Sequence, residues 1–523
     1  MTRPLSALIL GTALLTTVPG SAAELIIGRS SEQSSIDPLF SRTGNNQMTA
    51  SHFFDQLVEA DANNQLKPSV AVSWKVIDPT TWEIKLRPGI VFHDGSPFSA
   101  DDVVFSMERA KNVPNSPASF AGAVGSIAEI AAVDPTAVRI KTRAPAPQLL
   151  EQIGLVFLVS RKAAGTAATA DFNSGQAMIG TGPYKFVEWK NGDRLTLIRN
   201  EAYWGHKPAY DKVTFRYIPK DASRVAALLA GDVDLIDQVP PSDVKSLKAN
   251  AKIALHSTPS TRLVYLAMDS DRDETPFVTD TAGKPVAKNP LKDLRVRQAI
   301  EKMIDRSVIV DRLLDGSGAA AAQMVPEGIG GHEPSLKPQK PDVAGAKALL
   351  AAAGYPNGFG ITLHSSNDRL PKDGDLVQVL GQMLTRGGLK VNGVVALPYN
   401  VYATAATRRE YSAFVFSFGT TTPNSAIALN NVLATYSQEA GTGIFNRSRY
   451  SNKKFDETLR SAISEFDEEK RNGLLREAAK ITFGDVGIVP LYWQVVHWAS
   501  KKGIAYEPRK DEATYAMSAK PVP

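Results

Sequence analysis

The sequence predicts an α/β protein with more than one domain. Stretches that alternate apolar and polar residues, as strands do, follow stretches with apolar residues at helical spacing along most of the chain. The length of 523 residues exceeds the size at which a single hydrophobic core usually stops growing. Hydrophobic residues make up 43% and charged residues 22%, which is typical of globular domains.

The N-terminus resembles an export signal. Residues 1–23 contain Arg3, then an apolar run, then small residues at Ser21 and Ala23. We predict cleavage after Ala23, so that the mature chain begins at Glu24. The apolar run is shorter than the roughly 20 residues that a membrane-spanning helix needs. The chain has no cysteine, so it can form no disulfide and carry no lipid-modified cysteine; we expect a periplasmic protein that is not a lipoprotein.

The first 180 residues contain short elements of both kinds. Ser99 and Asp102 form a carboxylate variant of a capping box, which predicts the start of a helix. The expected elements are a strand over 25–27, a helix ending at 57–59, a strand over 81–86, the helix after Ser99, a strand over 138–142, a helix over 149–153 and a polar connector over 163–170.

The stretch from Thr181 to Gln238 has the clearest pattern. Alternation over 185–189 predicts a strand, and Asn191-Gly192 predicts a hairpin turn because this pair tolerates positive φ. A returning strand, a third strand over 213–217 and a helix over 222–229 follow. Gly231 is expected to end that helix.

The second half repeats the order of strand and helix. Asp293 is a plausible cap for the helix that carries Val296, Ile300 and Met303 on one face. The other expected elements are strands over 261–268, 361–363 and 389–395 and helices over 343–353, 376–384, 455–463 and 468–482.

Three phrases resemble one protein family. They are the stretch that begins TGPYKFVEWKNGDRLTLIRNEAYWGHKP at Thr181, the segment FHDGSPFSADDVVFSMERA at Phe92, and NPLKDLRVRQAI at Asn289. Together they are similar to the family 5 extracellular solute-binding proteins, the receptors of peptide- and nickel-type ABC importers. The resemblance implies a two-lobed periplasmic binding protein of type II, cluster C-like, with three domains and a hinge between the lobes.

The resemblance also implies domain boundaries. Residues 1–23 would be the signal peptide. Domain I, discontinuous, would comprise residues 24–60, 177–262 and 488–523; domain II, inserted in the first lobe, residues 61–176; and domain III, the second lobe, residues 263–487. The hinges would lie near Arg262 and Val489.

The implied function is capture of a peptide or peptide-like solute by hinge closure. The closed, monomeric receptor would deliver the solute to an inner-membrane permease driven by cytoplasmic ATPases. The sequence has no G-x-S-x-G, H-E-x-x-H, Walker or G-x-G-x-x-G motif, so we expect no enzyme. Its net charge of +5 is spread along the chain without a basic run, so we expect no nucleic-acid partner.

One departure from the family leaves the ligand class open. Peptide-binding relatives often carry an Asp, four residues before a Pro, that pairs with the peptide's α-ammonium. In this chain the Pro is Pro423 and the corresponding residue is Gly419. A buried ammonium without a carboxylate is costly, so an anchor at this residue is in doubt. A sugar, an opine-like compound or a nickel chelate is the alternative to a peptide.

Candidate ligand-binding residues come from four segments. They are polar residues after the first strand, the loop around Gly419, polar residues further along the second lobe, and aromatic residues near the return to the first lobe. The residues are Ser30, Glu32, Gln33, Ser34, Phe418, Gly419, Thr420, Thr421, Asn424, Asn446, Arg447, Tyr492 and Trp493.

Three groups of residues are candidate metal ligands by residue type. His93-Asp94 is interpreted as a turn, since adjacent residues do not converge on one point. The alternating carboxylates of 269–273 suggest a calcium loop, but Glu274 stands where such a loop needs Gly, so a solvated loop is favoured. His52, His364 and His497 could meet around a nickel chelate. No cofactor is expected.

Overall fold

The structure is a computed structural model that describes residues 23–522. The predicted signal peptide lies outside the described residues except for Ala23, so its cleavage remains a prediction. Among residues 23–522, no helix is both long enough and apolar enough to cross a membrane.

Strands and helices are numbered in chain order. The strands are β1 (Glu24–Arg29), β2 (Val58–Ala60), β3 (Leu66–Pro68), β4 (Ala71–Asp78), β5 (Thr81–Leu86), β6 (Ile127–Asp134), β7 (Ala137–Thr142), β8 (Tyr184–Lys190), β9 (Arg194–Arg199), β10 (Lys212–Tyr217), β11 (Leu235–Ile236), β12 (Ile253–Met268), β13 (Val278–Thr279), β14 (Gly318–Ala320), β15 (Gly360–Ser366), β16 (Lys390–Leu397), β17 (Ala413–Phe418), β18 (Val489–Lys501), β19 (Ile504–Tyr506) and β20 (Ala519–Pro521). The α-helices are α1 (Gly44–Ala50), α2 (Ala100–Lys111), α3 (Ala121–Val124), α4 (Leu149–Ile153), α5 (Arg161–Ala164), α6 (Thr169–Asn173), α7 (Asp221–Ala230), α8 (Pro241–Ala249), α9 (Leu294–Met303), α10 (Val343–Ala352), α11 (Asp373–Arg386), α12 (Tyr399–Thr407), α13 (Ala426–Val432), α14 (Lys453–Ser464) and α15 (Glu468–Gly484), with a π-helical turn over Val308–Leu313 and 3₁₀ turns over Pro290–Lys292 and Ala516–Ser518.

Two long strands join the halves of the molecule. The main sheet has the order β13-β15-β17-β12-β18-β11-β1-β10-β9-β8, with β14 and β16 added beside β18 and β15. β12 and β18 are antiparallel neighbours at its centre, and each runs through both halves. A separate four-stranded sheet, β4-β5-β7-β6, packs into the same core as β1, β9 and β10.

The register between β12 and β18 breaks in the middle. Pro259 lies opposite Val495, but the next paired residue of β12, Leu263, lies opposite Trp493. We call the side with residues 23–259 and 495–522 the first lobe, and the side with residues 262–493, which includes Arg262 at the break, the second lobe. Within residues 23–522 the chain crosses between the lobes twice, through β12 and β18, an arrangement that permits rotation of one lobe against the other.

The second-lobe sheet is buried on both faces. Alternate residues of β12 enter different cores, because successive side chains of a strand point to opposite faces. Val264, Leu266 and Met268 pack with helices α9, α10 and α11. Leu263, Tyr265 and Ala267 pack with helices α12 to α15. This double covering confirms the α/β fold class.

Many sequence-predicted elements are confirmed. Helix α2 follows Ser99, whose backbone N–H donates to the Asp102 carboxylate at 2.9 Å. Helix α9 follows Asp293, whose side chain accepts from the N–H of Arg295. Helix α7 ends at Gly231, which has a φ of 89° that glycine adopts without strain.

Two expectations about the first lobe were wrong. Helix α1 ends at Ala50, and residues Val58–Ala60 form a strand paired with Leu66–Pro68 instead of the end of a helix. The hairpin turns at the buried Asn64, which has a φ of 61°, and this local pairing overrides the helical spacing. The expected connector over 163–170 contains parts of the short helices α5 and α6.

The predicted domain boundaries remain a proposal, with one adjustment. Residues 488–493 pack in the two second-lobe cores, so we propose that the second lobe ends near Gln494. The register break supports a hinge at Arg262, and it places the second crossing at Gln494 rather than Val489.

Candidate functional site

A large cleft lies between the two lobes. Its volume is about 1690 Å³. The first lobe contributes residues from the segments 42–68, 203–208 and 237–242 and from the C-terminal segment 507–518; the second lobe contributes Arg262, the loop 368–372 and the loop 421–423. Gln494 and Val495, at the register break, also line it. The cleft therefore sits over the crossing strands, where both lobes reach one space.

A buried carboxylate organises the first-lobe wall. Asp55 accepts hydrogen bonds from Thr181 Oγ1 at 2.7 Å, Trp204 Nε1 at 2.8 Å and the hydroxyl of Tyr203 at 3.2 Å. Burial raises the pKa of Asp55, and the three donors oppose that rise. These bonds fix the aromatic pair of the Tyr-Trp-Gly-His-Lys-Pro loop against the wall, with Arg87 stacked on the Trp204 ring at 4.6 Å.

Another charged residue of this wall, Arg509, is paired within the protein. Arg509 lies 2.6 Å from Asp511 and also donates to the carbonyl oxygens of Ala60 and Asp61. Its guanidinium stacks on Tyr515 at 4.5 Å. These contacts join the C-terminal segment to the β2–β3 hairpin, and they engage the Arg509 guanidinium with groups of the protein itself.

The end of β1 is held by buried polar groups. The N–H of Ser30 donates to Asp237 Oδ1 at 2.7 Å, and Arg224 Nε lies 3.6 Å from the same oxygen. Burial raises the pKa of Asp237, and the charge of the fully buried Arg29 opposes that rise. Nε and Nη2 of Arg29 have no acceptor among residues 23–522. Ser30 reaches the cleft as predicted, and the network behind it fixes its backbone.

The second-lobe wall is basic. Arg262 lies at the register break and binds Glu512 of the first lobe through Nε and Nη2, each at 3.0 Å. Burial opposes the charge of Arg262, but the Glu512 carboxylate raises the pKa of the arginine. A Cβ atom placed on Gly419 would lie 3.3 Å from Nη2 of Arg262. The space over Gly419 thus faces a guanidinium.

Arg369 is a second cation on this wall. It is exposed in the cleft, and within the described chain its guanidinium has no carboxylate within 4.0 Å. Its guanidinium lies 5.7 Å from the Tyr399 ring. Burial and the positive charge of Arg262 lower the pKa of Arg369. Thr421 also lines this wall and is exposed.

Side chains of the two lobes touch at the rim of the cleft. Asn424 Nδ2 donates to Glu151 Oε1 at 3.0 Å, and Asn64 Nδ2 donates to the carbonyl oxygen of Thr420 at 3.2 Å. Burial raises the pKa of Glu151 to about 7, although Arg471 and Asn424 oppose that rise. Two predicted candidates, Thr420 and Asn424, therefore join the lobes in this conformation.

Other candidates lie off the cleft wall. Glu32 accepts from Trp189 Nε1, Gln33 accepts from Tyr217, and Ser34 donates to Asn46. In the second lobe, Phe418 packs near Phe445, the buried Asn446 donates to the carbonyl oxygens of Ala434 and Tyr450, and Arg447 stacks on Phe416 at 4.1 Å. Each of these side chains has partners inside its own lobe.

The aromatic pair of β18 lies in the cores. Tyr492 is 2% exposed and packs with helices α9 to α11, whereas Trp493 is 9% exposed and packs on the opposite face. The pleat of β18 sends them in opposite directions, so the expected cleft aromatics are placed in the core instead. Gln494 and Val495 take the cleft positions.

The histidines do not meet. His52 is buried beside Phe215 and Tyr515 in the first lobe, and His364 stacks on Tyr411 in the second. His497 contacts Ser257 and Ser317. Within residues 23–522 no group of three His, Asp or Glu is arranged to hold a metal ion. The alternative in which His52, His364 and His497 meet around a nickel chelate is therefore not supported.

The two other metal candidates are engaged in loops. Asp94 accepts from Ser96 and lies 3.2 Å from Lys162, while His93 contacts backbone groups of residues 180 and 182. In the segment 269–273, Asp269 binds Arg272 at 2.6 Å and Asp273 binds Lys292 at 2.6 Å. These carboxylates face cationic side chains.

Several cleft residues were missed by sequence reasoning. Asp55, Arg369 and Glu512 carry no local motif, because their placement depends on which segments meet across the cleft. Tyr203-Trp204 gave a usable signal, since two adjacent aromatics in a Gly- and Pro-punctuated loop often serve binding. The sequence predicts Arg262 only as a hinge residue.

The geometry defines a class of protein. Two lobes joined by two crossings enclose a polar cleft that contains charges of both signs, which suits capture of a charged solute. The chain belongs to the bacterial extracellular solute-binding proteins, family 5, whose model matches residues 65–440.

Known relatives agree with this assignment. The glutathione-binding protein GsiB of Shigella flexneri serotype 5b (strain 8401) is 28% identical over 512 residues, which cover 96% of this chain and 95% of that protein. The structure of HbpA2 from Haemophilus parasuis matches with a TM-score of 0.82 and 22% identity, covering 95% of this chain and all of that one. DppA from Helicobacter pylori, in complex with the peptide STSA, matches with a TM-score of 0.74 and 23% identity over 96% and 98% of the two chains. These structural matches confirm the two-lobed type II fold.

Proposed function

We propose that this protein is the periplasmic receptor of an ABC importer and that it captures a peptide or peptide-like solute. The observation that carries the proposal is the cleft between the lobes, which presents acidic and basic groups within one enclosed space. A peptide offers complementary charges together with amide groups for the neutral donors and acceptors of the walls. GsiB, a relative over nearly the whole chain, is a glutathione-binding protein, and glutathione is a small peptide.

Transport would begin with closure of the lobes. A ligand that contacts both walls stabilises the closed state only by its differential affinity for that state. Micromolar binding, suitable for a scavenging receptor, corresponds to about −8 kcal/mol. The closed form would then dock on an inner-membrane permease with cytoplasmic ATPases. We further propose that the receptor is monomeric and has no catalytic activity. It would be exported, with removal of the signal peptide by cleavage after Ala23.

The experiment that tests this function is ligand identification. The full chain is produced in a periplasm, and the solutes released on denaturation are identified by mass spectrometry. Glutathione and a set of tri- and tetrapeptides are then tested by calorimetry and by small-angle scattering. We expect saturable binding, an unchanged ligand after incubation and a smaller radius of gyration. Absence of binding by every peptide would overturn the peptide assignment, and turnover of a bound peptide would overturn the receptor assignment.

A further inference from the structure

Two guanidinium groups, those of Arg262 and Arg369, line the same cleft as the carboxylate of Glu512. Arg262 is bonded to Glu512, and the charges of both residues act on the Arg369 guanidinium. Like charges held together in a cleft repel each other, and an anion bound between them relieves that repulsion. Arg369 has no carboxylate within 4.0 Å among the described residues, so no side chain of the protein forms a direct ion pair with its guanidinium.

The donors of Arg262 are only partly used. Nε and Nη2 bind Glu512, whereas Nη1 has no acceptor among the described residues. The Arg262 side chain keeps 21% of its surface exposed, and the residue lines the cleft. A guanidinium carries five N–H donors, so one edge can bind a resident carboxylate while another binds a ligand.

Because Gly419 has no side chain, the space beside the Arg262 guanidinium remains free. A Cβ atom there would lie 3.3 Å from Nη2 and 3.6 Å from Nη1 of Arg262. An aspartate at this position would pair with Arg262 and neutralise it. An ammonium group placed over Gly419 would instead meet a cation, which is unfavourable.

We propose that Arg262, together with Arg369, forms a subsite that selects an anionic group of the ligand, such as a carboxylate, in the space over Gly419. Arg262 acts as the specificity determinant, and Glu512 is a resident carboxylate that holds it in place and competes with the ligand for its charge. The subsite rests on the proposed function, and it fixes the polarity with which a peptide would lie in the cleft: the acidic end against the second lobe.

The neighbouring charges are consistent with this polarity. Asp368 lies beside Arg369, but its Oδ1 accepts from the N–H of Tyr399 at 2.8 Å at the start of α12. Lys372 lies 3.6 Å from Asp375. On the facing wall, Asp511 is bound by Arg509. None of these carboxylates is paired with Arg369.

The test compares three probes by calorimetry: trialanine, trialanine amide and glutathione. We expect the wild-type protein to bind trialanine about tenfold or more tightly than the amide, because only the acid offers a carboxylate. Arg262→Gln should abolish this preference. Gly419→Asp should abolish it as well. Glu512→Gln should increase the preference, because it frees Arg262 from its competing partner.

Arg447→Gln is the matched control, since Arg447 is an arginine of the same lobe that stacks on Phe416 away from the cleft. It should leave the preference unchanged. If the Arg262–Glu512 pair is only structural, each single variant should lower the melting temperature. Each should also weaken the binding of trialanine and of trialanine amide equally. The opposite effects of Arg262→Gln and Glu512→Gln on the acid-to-amide ratio distinguish the two roles.

Equal binding of acid and amide by the wild type, or a preference that survives Arg262→Gln, would overturn the subsite. If no peptide binds the wild type, the peptide assignment fails, and the solute that co-purifies from the periplasm decides the subsite. A solute with an anionic group that Arg262→Gln no longer retains supports the subsite. A neutral or purely cationic solute overturns it.

Discussion

The two walls of the cleft differ in how their polar groups are held. On the first-lobe wall, Asp55 is bonded to three side-chain donors, and Arg509 is bonded to Asp511 and to two carbonyl oxygens. On the second-lobe wall, the side chains of Arg369 and Thr421 are exposed, and within the described chain the Arg369 guanidinium has no carboxylate within 4.0 Å. The comparison teaches that Asp55 and Arg509 are fixed parts of the first wall, whereas the Arg369 and Thr421 side chains of the second wall are available to a ligand.

The largest effect should follow from removing Asp55. In Asp55→Ala, the buried donor of Thr181 and the half-buried donors of Tyr203 and Trp204 lose their common acceptor, and a donor left unsatisfied is costly. We expect the free energy of unfolding to fall by about 3 kcal/mol, measured by urea denaturation with tryptophan fluorescence. Asp368→Ala, on the opposite wall, removes an exposed carboxylate and should cost less than about 1 kcal/mol. Equal losses in the two variants would contradict the contrast between the walls.

The sequence predicted the framework better than the walls. Helices α2, α7 and α9 were predictable because Ser99, Gly231 and Asp293 mark their ends through local hydrogen bonds and backbone conformation. The cleft was harder, because Arg262 and Glu512 are 250 residues apart and meet only through tertiary packing. Gly419 illustrates what the sequence can predict about the cleft and what it cannot.

The absence of a carboxylate at Gly419 was visible in the sequence, and it raised the question of the ligand's charge. The guanidinium that faces this glycine was not visible there. Tyr492 and Trp493 were misplaced for a related reason. Aromatic residues suggested ligand contact. However, β18 is buried on both faces, so its alternating side chains place Tyr492 in one second-lobe core and Trp493 in the other.

A smaller, pH-dependent effect is expected where the two lobes touch. Glu151 Oε1 accepts from Asn424, and Oε2 is buried without a partner in the described chain. Burial raises the pKa of Glu151 from 4.5 to about 7, with opposing contributions from Arg471 and Asn424 and a smaller raising contribution from Glu468. The folded, touching state therefore binds a proton that the unfolded chain releases between these two pH values. Stability from this contact is present below pH 4.5 and is lost as the pH rises towards 7.

Glu151→Gln removes this titration but keeps an acceptor for Asn424. We expect the variant to match the wild type at pH 5 and to be more stable by about 1 kcal/mol at pH 8, measured by thermal denaturation at both pH values. Glu108→Gln is the control, since Glu108 is exposed and pairs with Lys111. A difference between Glu151→Gln and the wild type that does not change with pH would contradict the raised pKa at the contact.

The smallest effects should separate neighbouring threonines of the second-lobe wall. Thr420 is buried, and its hydroxyl lies 2.7 Å from that of Thr422, so Thr420→Val should lower the free energy of unfolding by about 1 kcal/mol. Thr421 is exposed in the cleft and has no hydrogen bond among residues 23–522, so Thr421→Val should change stability by less than about 0.5 kcal/mol. Ligand affinity should show the reverse order, because Thr421 lines the cleft and Thr420 does not. Calorimetry with glutathione and thermal denaturation of both variants measure the two effects. If Thr421→Val were the more destabilising change and left the affinity unaltered, the second wall would be a structural frame like the first.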